Sequence, residues 1–185
     1  MVIPFRKILW VKSVSLDPGE LAYAGRIGRE FELHCSPDDM DSLGDPEVGD
    51  LIVLIQHEQA THLVEVVGAK VQERPRRTIK KGSRDERFTM QRTCRHVLLR
   101  SFEEAPFVEQ AFGIEPAAEG GETLAIEELP AIVNGDQPLW MVQRRVLNAL
   151  QGPSVRTLYV TRRERQDDGM PQVDLREFLQ DRDPD

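Results

Sequence analysis

Two apolar runs joined by a short polar link dominate the middle of the chain: GDLIVLIQ and THLVEVV, with HEQA between them. The first run, residues 51–56, is nearly continuous and reads as a buried strand. The second alternates. Leu63, Glu65 and Val67 fall on one face, and His62, Val64 and Val66 on the other. The link fits an antiparallel hairpin, with His57 and His62 near its closed end. Upstream, residues 6–14 predict a strand with Ile8, Trp10 and Val14 on one face and Lys12 interrupting it. Residues 31–35 predict a short strand, following a stretch in which Gly25 and Gly28 weaken any helix. The Pro-, Gly- and Asp-rich residues 36–50 predict a loop with a one-turn helix near 38–43.

Downstream, ERPRRTIKKGSRDER (residues 73–87) has no apolar periodicity and reads as a long basic loop. Residues 92–102 return to strand. Residues 105–113 suggest a short helix stopped by Gly113. A brief strand is expected around 123–126. Leu139, Val142, Val146 and Leu150 are spaced by three, four and four, which predicts an amphipathic helix with Pro138 in its first turn and Gly152 as its stop. A β-rich segment at 154–164 and a short closing helix capped by Asp174 complete the reading. The fold class is α+β. One domain is expected over residues 1–132 and a C-terminal helical and β appendage over 137–185, with the boundary near 133–138.

Charge changes this picture more than overall composition does. The 185 residues are 39% apolar and 30% charged, a balance suited to a folded core, with a net charge of -8. That charge is segregated. Residues 70–100 carry a net +8, leaving -16 for the rest, and residues 101–143 hold nine acidic side chains and no Lys or Arg. Such asymmetry points to an anionic partner for the basic part. The competing reading is internal neutralisation by the acidic stretch. No apolar run is long enough to span a bilayer, and no signal-peptide pattern opens the chain, so a cytoplasmic location is expected. Cys35 and Cys94 lack any zinc-knuckle spacing and read as buried free thiols.

Three sets of residues carry candidate chemistry. Thr61 and His62 could read the polar edge of a heterocycle, since a hydroxyl and a neutral imidazole both donate and accept. The alternative is that both simply pack. Trp10 offers a stacking surface worth about 1–3 kcal/mol per base, and Lys12, two residues on, could meet a phosphate. A core role for Trp10 is the competing reading. Arg76, Arg77, Lys80, Lys81, Arg84, Arg92 and Arg95 suit phosphate contacts with a steep salt dependence. A metal site from His57, His62 and Cys35 or His96 lacks any helical HxxxH or HExxH, so no metal and no cofactor are expected. No GxSxG, P-loop, GxGxxG or zinc-deaminase pattern occurs.

The run VGDLIVLIQ…THLVEVV, the basic loop, RHVLL and then FVEQAFGIEPAAEGGETLAIEEL together resemble the PUA-like group of small β-barrels, closest to the EVE-type domains, over residues 6–130. The resemblance implies a mixed barrel of five or six strands that accepts a base, often modified or flipped out, in a pocket beside the central strands. It implies non-catalytic nucleic-acid binding, to RNA or modified DNA. The first rival is a small PUA-like nuclease or amidohydrolase in which Lys12, Thr61 and Glu65 imitate a catalytic set. The second is a protein-interaction module using the acidic segment or the C-terminal helix, including a homodimer contact through Leu139, Val142 and Val146.

Overall fold

The computed structural model describes residues 3–14, 20–79, 84–113 and 121–152. Residues 1–152 form one compact unit. Among the described residues, seven strands lie in chain order: β1 (Ile8–Ser13), β2 (Glu30–Cys35), β3 (Leu51–Gln56), β4 (Gln59–Val66), β5 (Gln72–Glu73), β6 (Met90–Leu99) and β7 (Thr123–Ala125). The described residues also form four α-helices: α1 (Met40–Gly44), α2 (Val108–Phe112), α3 (Pro130–Val133) and α4 (Leu139–Gln151). The fold is mixed α+β, and its sheet curls into a half-barrel of order β2-β6-β4-β3-β1-β7, with β5 beside β6. β1 runs parallel to β3, and the other pairings are antiparallel.

The central hairpin is tighter than HEQA suggests. Only His57 and Glu58 form the turn, with φ of 50° and 62°. Positive φ at both central residues matches the right-handed twist of the flanking strands. His57 is therefore exposed at the tip, its ring 5.7 Å from that of Phe102, and is not the neighbour of His62. β3 is buried along its whole length, as its unbroken apolar run requires. The alternation in β4 also appears: Leu63 joins the core under the helices, and Val64 and Val66 join the opposite face.

Two apolar layers flank the sheet. On the outer face, Val11, Val53, Leu63 and Val97 meet Phe112 of α2 and Val146 of α4. On the inner face, Leu33, Ile52, Leu54, Val64 and Val66 meet Leu43 of α1, with Trp10, Tyr23 and Phe31 packed against them. Ile8 lies in the outer layer and Trp10 and Val14 in the inner one. The predicted common face fails because an irregularity between Ile8 and Trp10 in the pairing with β3 resets the period.

α4 also corrects an expectation. Val142, Val146 and Leu150 are fully buried within the first unit, and Gln143 Nε2 donates to the carbonyls of Arg6 and Ile8 at 3.3 and 3.0 Å. The helix completes the core and does not open a separate appendage. Val142 and Val146 are consumed inside the chain, which removes the homodimer contact expected of them. The segments expected at 154–164 and near Asp174 lie outside the described residues. Among the described residues, no helix is long and apolar enough to cross a membrane.

Candidate functional site

Strand register sets the inner face. Lys12, Leu54 and His62 stand opposite one another across β1, β3 and β4. Trp10, Ile52, Val64 and His96 form the next row across β1, β3, β4 and β6. His62 and His96 thus become neighbours, with ring centroids 5.6 Å apart and planes tilted by 32°. Phe31 of β2 stacks on His96 at 4.3 Å and 17°, and Tyr23 lies 5.1 Å from Phe31. The two histidines are 0% and 2% exposed.

Thr61 explains why β4 carries a hydroxyl beside this histidine. Leu54 pairs with His62 and Ile55 with Ala60, so Thr61 is the extra residue of a bulge. Its Oγ1 donates to the Leu54 carbonyl at 3.4 Å and lies 2.8 Å from His62 Nδ1. The hydroxyl has a single proton. Which of Thr61 Oγ1 and His62 Nδ1 donates depends on the imidazole tautomer. His62 Nε2 and His96 Nδ1 have no hydrogen-bond partner among the described residues. Burial, and next the neighbouring His96, push His62 down to about 4, with the Tyr23 backbone opposing slightly. Burial also lowers His96. Both rings are therefore neutral near pH 7.

Lys12 is 1% exposed, and its Nζ donates to the Gly121 carbonyl. Burial lowers its pKa, opposed by Cys35 and Asp39. This removes Lys12 from the accessible phosphate contacts foreseen for it. Cys35 and Cys94 are free and buried, with thiols raised to about 11 and about 12 by desolvation. Trp10 is half-buried, and its Nε1 donates to Asp50 Oδ2 at 3.1 Å, which fixes the ring in the wall. Thr61 and His62 are fully buried, so neither is open to solvent as an edge reader. The triple Lys12, Thr61 and Glu65 does not converge. Lys12 faces His62 across β3, whereas Glu65 pairs with Arg95.

The basic segment divides into spent and available cations. Arg92 is 3% exposed; its Nη1 donates to Leu43 O and Gly44 O at 2.7 and 3.0 Å, and its Nε to Gly68 O at 3.1 Å. It clamps the end of α1 to the link after β4 and is not a phosphate contact. Arg74 Nη1 donates to Phe88 O at 2.8 Å. Arg95 pairs with Glu65 at 2.7 Å, and Arg100 lies 3.6 Å from Glu104. Arg76, Arg77 and Arg87 are exposed and join no ion pair among the described residues. Arg84 begins a short 3-10 turn, Arg84–Arg87, and Lys80 and Lys81 lie outside the described residues. Among the described residues, no group of three or more His, Cys, Asp or Glu could hold a metal ion.

Sequence reasoning missed His96 as the partner of His62. It weighed His96 only as a metal ligand, and the contact depends on the β4–β6 register, which local periodicity does not encode. No family model matches the chain, and no curated protein or solved structure matches it.

Proposed function

We propose that this chain is a non-catalytic nucleic-acid-binding protein of the PUA-like, EVE-type kind. The curled half-barrel and the order of its elements support the type. The observation that carries the binding reading is the set of exposed arginines, Arg76, Arg77 and Arg87, which join no ion pair among the described residues while Arg92 and Arg95 of the same segment are engaged by the fold. Arg26 and Arg29, before β2, are exposed as well. Guanidinium groups of this kind bind phosphate oxygens bidentately and position a strand, whereas selectivity comes from base contacts.

Fluorescence anisotropy with labelled single-stranded RNA and modified DNA, at low ionic strength, tests this reading. Arg76→Ala/Arg77→Ala is expected to weaken binding on the order of tenfold, from the loss of two phosphate contacts. Unchanged affinity in that variant would assign the charge elsewhere and overturn the reading.

A further inference from the structure

One face of α4 anchors it to the fold. Val142, Val146 and Leu150 are fully buried, and the Gln143 amide holds the carbonyls of Arg6 and Ile8. Arg145 Nη1 donates to Phe112 O at 3.0 Å, and Arg100 Nε donates to Leu150 O at 2.6 Å, at the last turn of the helix. The opposite face therefore stands on a fixed support. It carries Trp140, Met141, Arg144 and Asn148, all exposed. Trp140 is 49% exposed, although its ring is one of the largest apolar surfaces a side chain can bury. Val133 of α3 is exposed as well, and the turn that joins α3 to α4 is closed by Gln137 N donating to Ala131 O at 3.1 Å. Tryptophan, methionine and arginine are the residue types that protein interfaces concentrate at their centres.

The spacing on this face says which partner fits it. Trp140 and Arg144 are four residues apart, one turn along the same side of the helix. Two copies of such a face, laid antiparallel about a two-fold axis, set each Trp140 against Arg144 of the other copy. The contact then occurs twice, as an isologous interface requires. A guanidinium over an indole face is attracted by the ring quadrupole, and more strongly as water leaves. α4 contains no acidic residue, and Arg144 joins no ion pair among the described residues, so its charge is uncommitted. We infer that the exposed face of α4 is a contact between two copies of this chain, with Trp140 of each stacked on Arg144 of the other and Met141 beside them. The face is the reverse of the one that Val142 and Val146 bury, and the inference is independent of the nucleic-acid reading.

Sedimentation equilibrium of the full chain, from micromolar to millimolar concentration, tests it. A reversible monomer–dimer equilibrium is expected, with tryptophan emission moving to shorter wavelength as the dimer forms. Trp140→Ala and Arg144→Ala are each expected to weaken the dimer on the order of tenfold. Because the two side chains meet each other, the double variant should dimerise about as weakly as Trp140→Ala alone. All three variants should keep the wild-type circular dichroism spectrum and urea midpoint, since the altered side chains are exposed. A monomer at every concentration overturns the inference. So does a dimer indifferent to both substitutions, or one in which the two losses multiply in the double variant. A monomer whose emission responds to an oligonucleotide or to anionic vesicles, in wild type and not in Trp140→Ala, assigns the face to that partner and overturns the inference as well.

Discussion

Arg92→Ala is expected to destabilise the fold by about 4 kcal/mol, a large share of the 5–15 kcal/mol typical of a domain. The guanidinium makes three hydrogen bonds to carbonyls of Leu43, Gly44 and Gly68 while 3% exposed. Bonds to charged groups are worth about 1.5–3 kcal/mol each, and the deletion strands three acceptors at a helix end and a strand exit. Rehydration of the freed carbonyls keeps the total below the full sum. Arg92→Lys should recover little, since an ammonium cannot span the same fork of acceptors. Urea unfolding followed by circular dichroism measures the effect. A loss under 1 kcal/mol would show that the clamp is not a structural element.

Acidification is expected to remove about 3 kcal/mol of stability between pH 6.5 and pH 4 through His62. Its folded-state pKa is lowered to about 4, chiefly by burial, against an ordinary value near 6.5. The unfolded chain therefore binds more protons than the folded chain across this window. Stability is complete above pH 6.5 and falls as pH drops towards 4. Each pKa unit is worth about 1.4 kcal/mol, so pH 5 already costs about 2 kcal/mol. His96, lowered by the same cause, adds in the same direction. Carboxylates contribute their own slope below pH 5, so the comparison is made between wild type and His62→Gln. The difference in urea midpoint between pH 7.5 and pH 5 should shrink clearly in the variant. Equal slopes in the two proteins would mean that His62 titrates normally.

Much of the architecture was legible because it is local. The unbroken run at residues 51–56, the alternation after Thr61 and the spacing of Leu139, Val142, Val146 and Leu150 each name an element by its period, and each element forms. Ile8 was misplaced because a register irregularity is invisible to a period-two rule. The fate of α4 was misread because an amphipathic helix shows that it has a buried face but not which surface covers it. The site was harder still. Exposed and buried arginines look alike in sequence. Arg92 and Arg76 differ only because α1 and the link after β4 bring three carbonyls to one of them. Lys12 and His62 were recognised as unusual within their strands, but their burial depends on the curl of the whole sheet. His96 joins His62 through pairing of β4 with β6, two strands separated by the basic segment.

The central claim is that exposed arginines hold an anionic strand, and its most direct measurement is the salt dependence of binding to a single-stranded oligonucleotide. With Arg76, Arg77 and Arg87 each neutralising one phosphate, the logarithm of affinity should fall against the logarithm of salt with a slope of about -2, or about twentyfold between 50 and 200 mM. No binding at the lowest salt, or an affinity indifferent to salt over that range, would contradict the account.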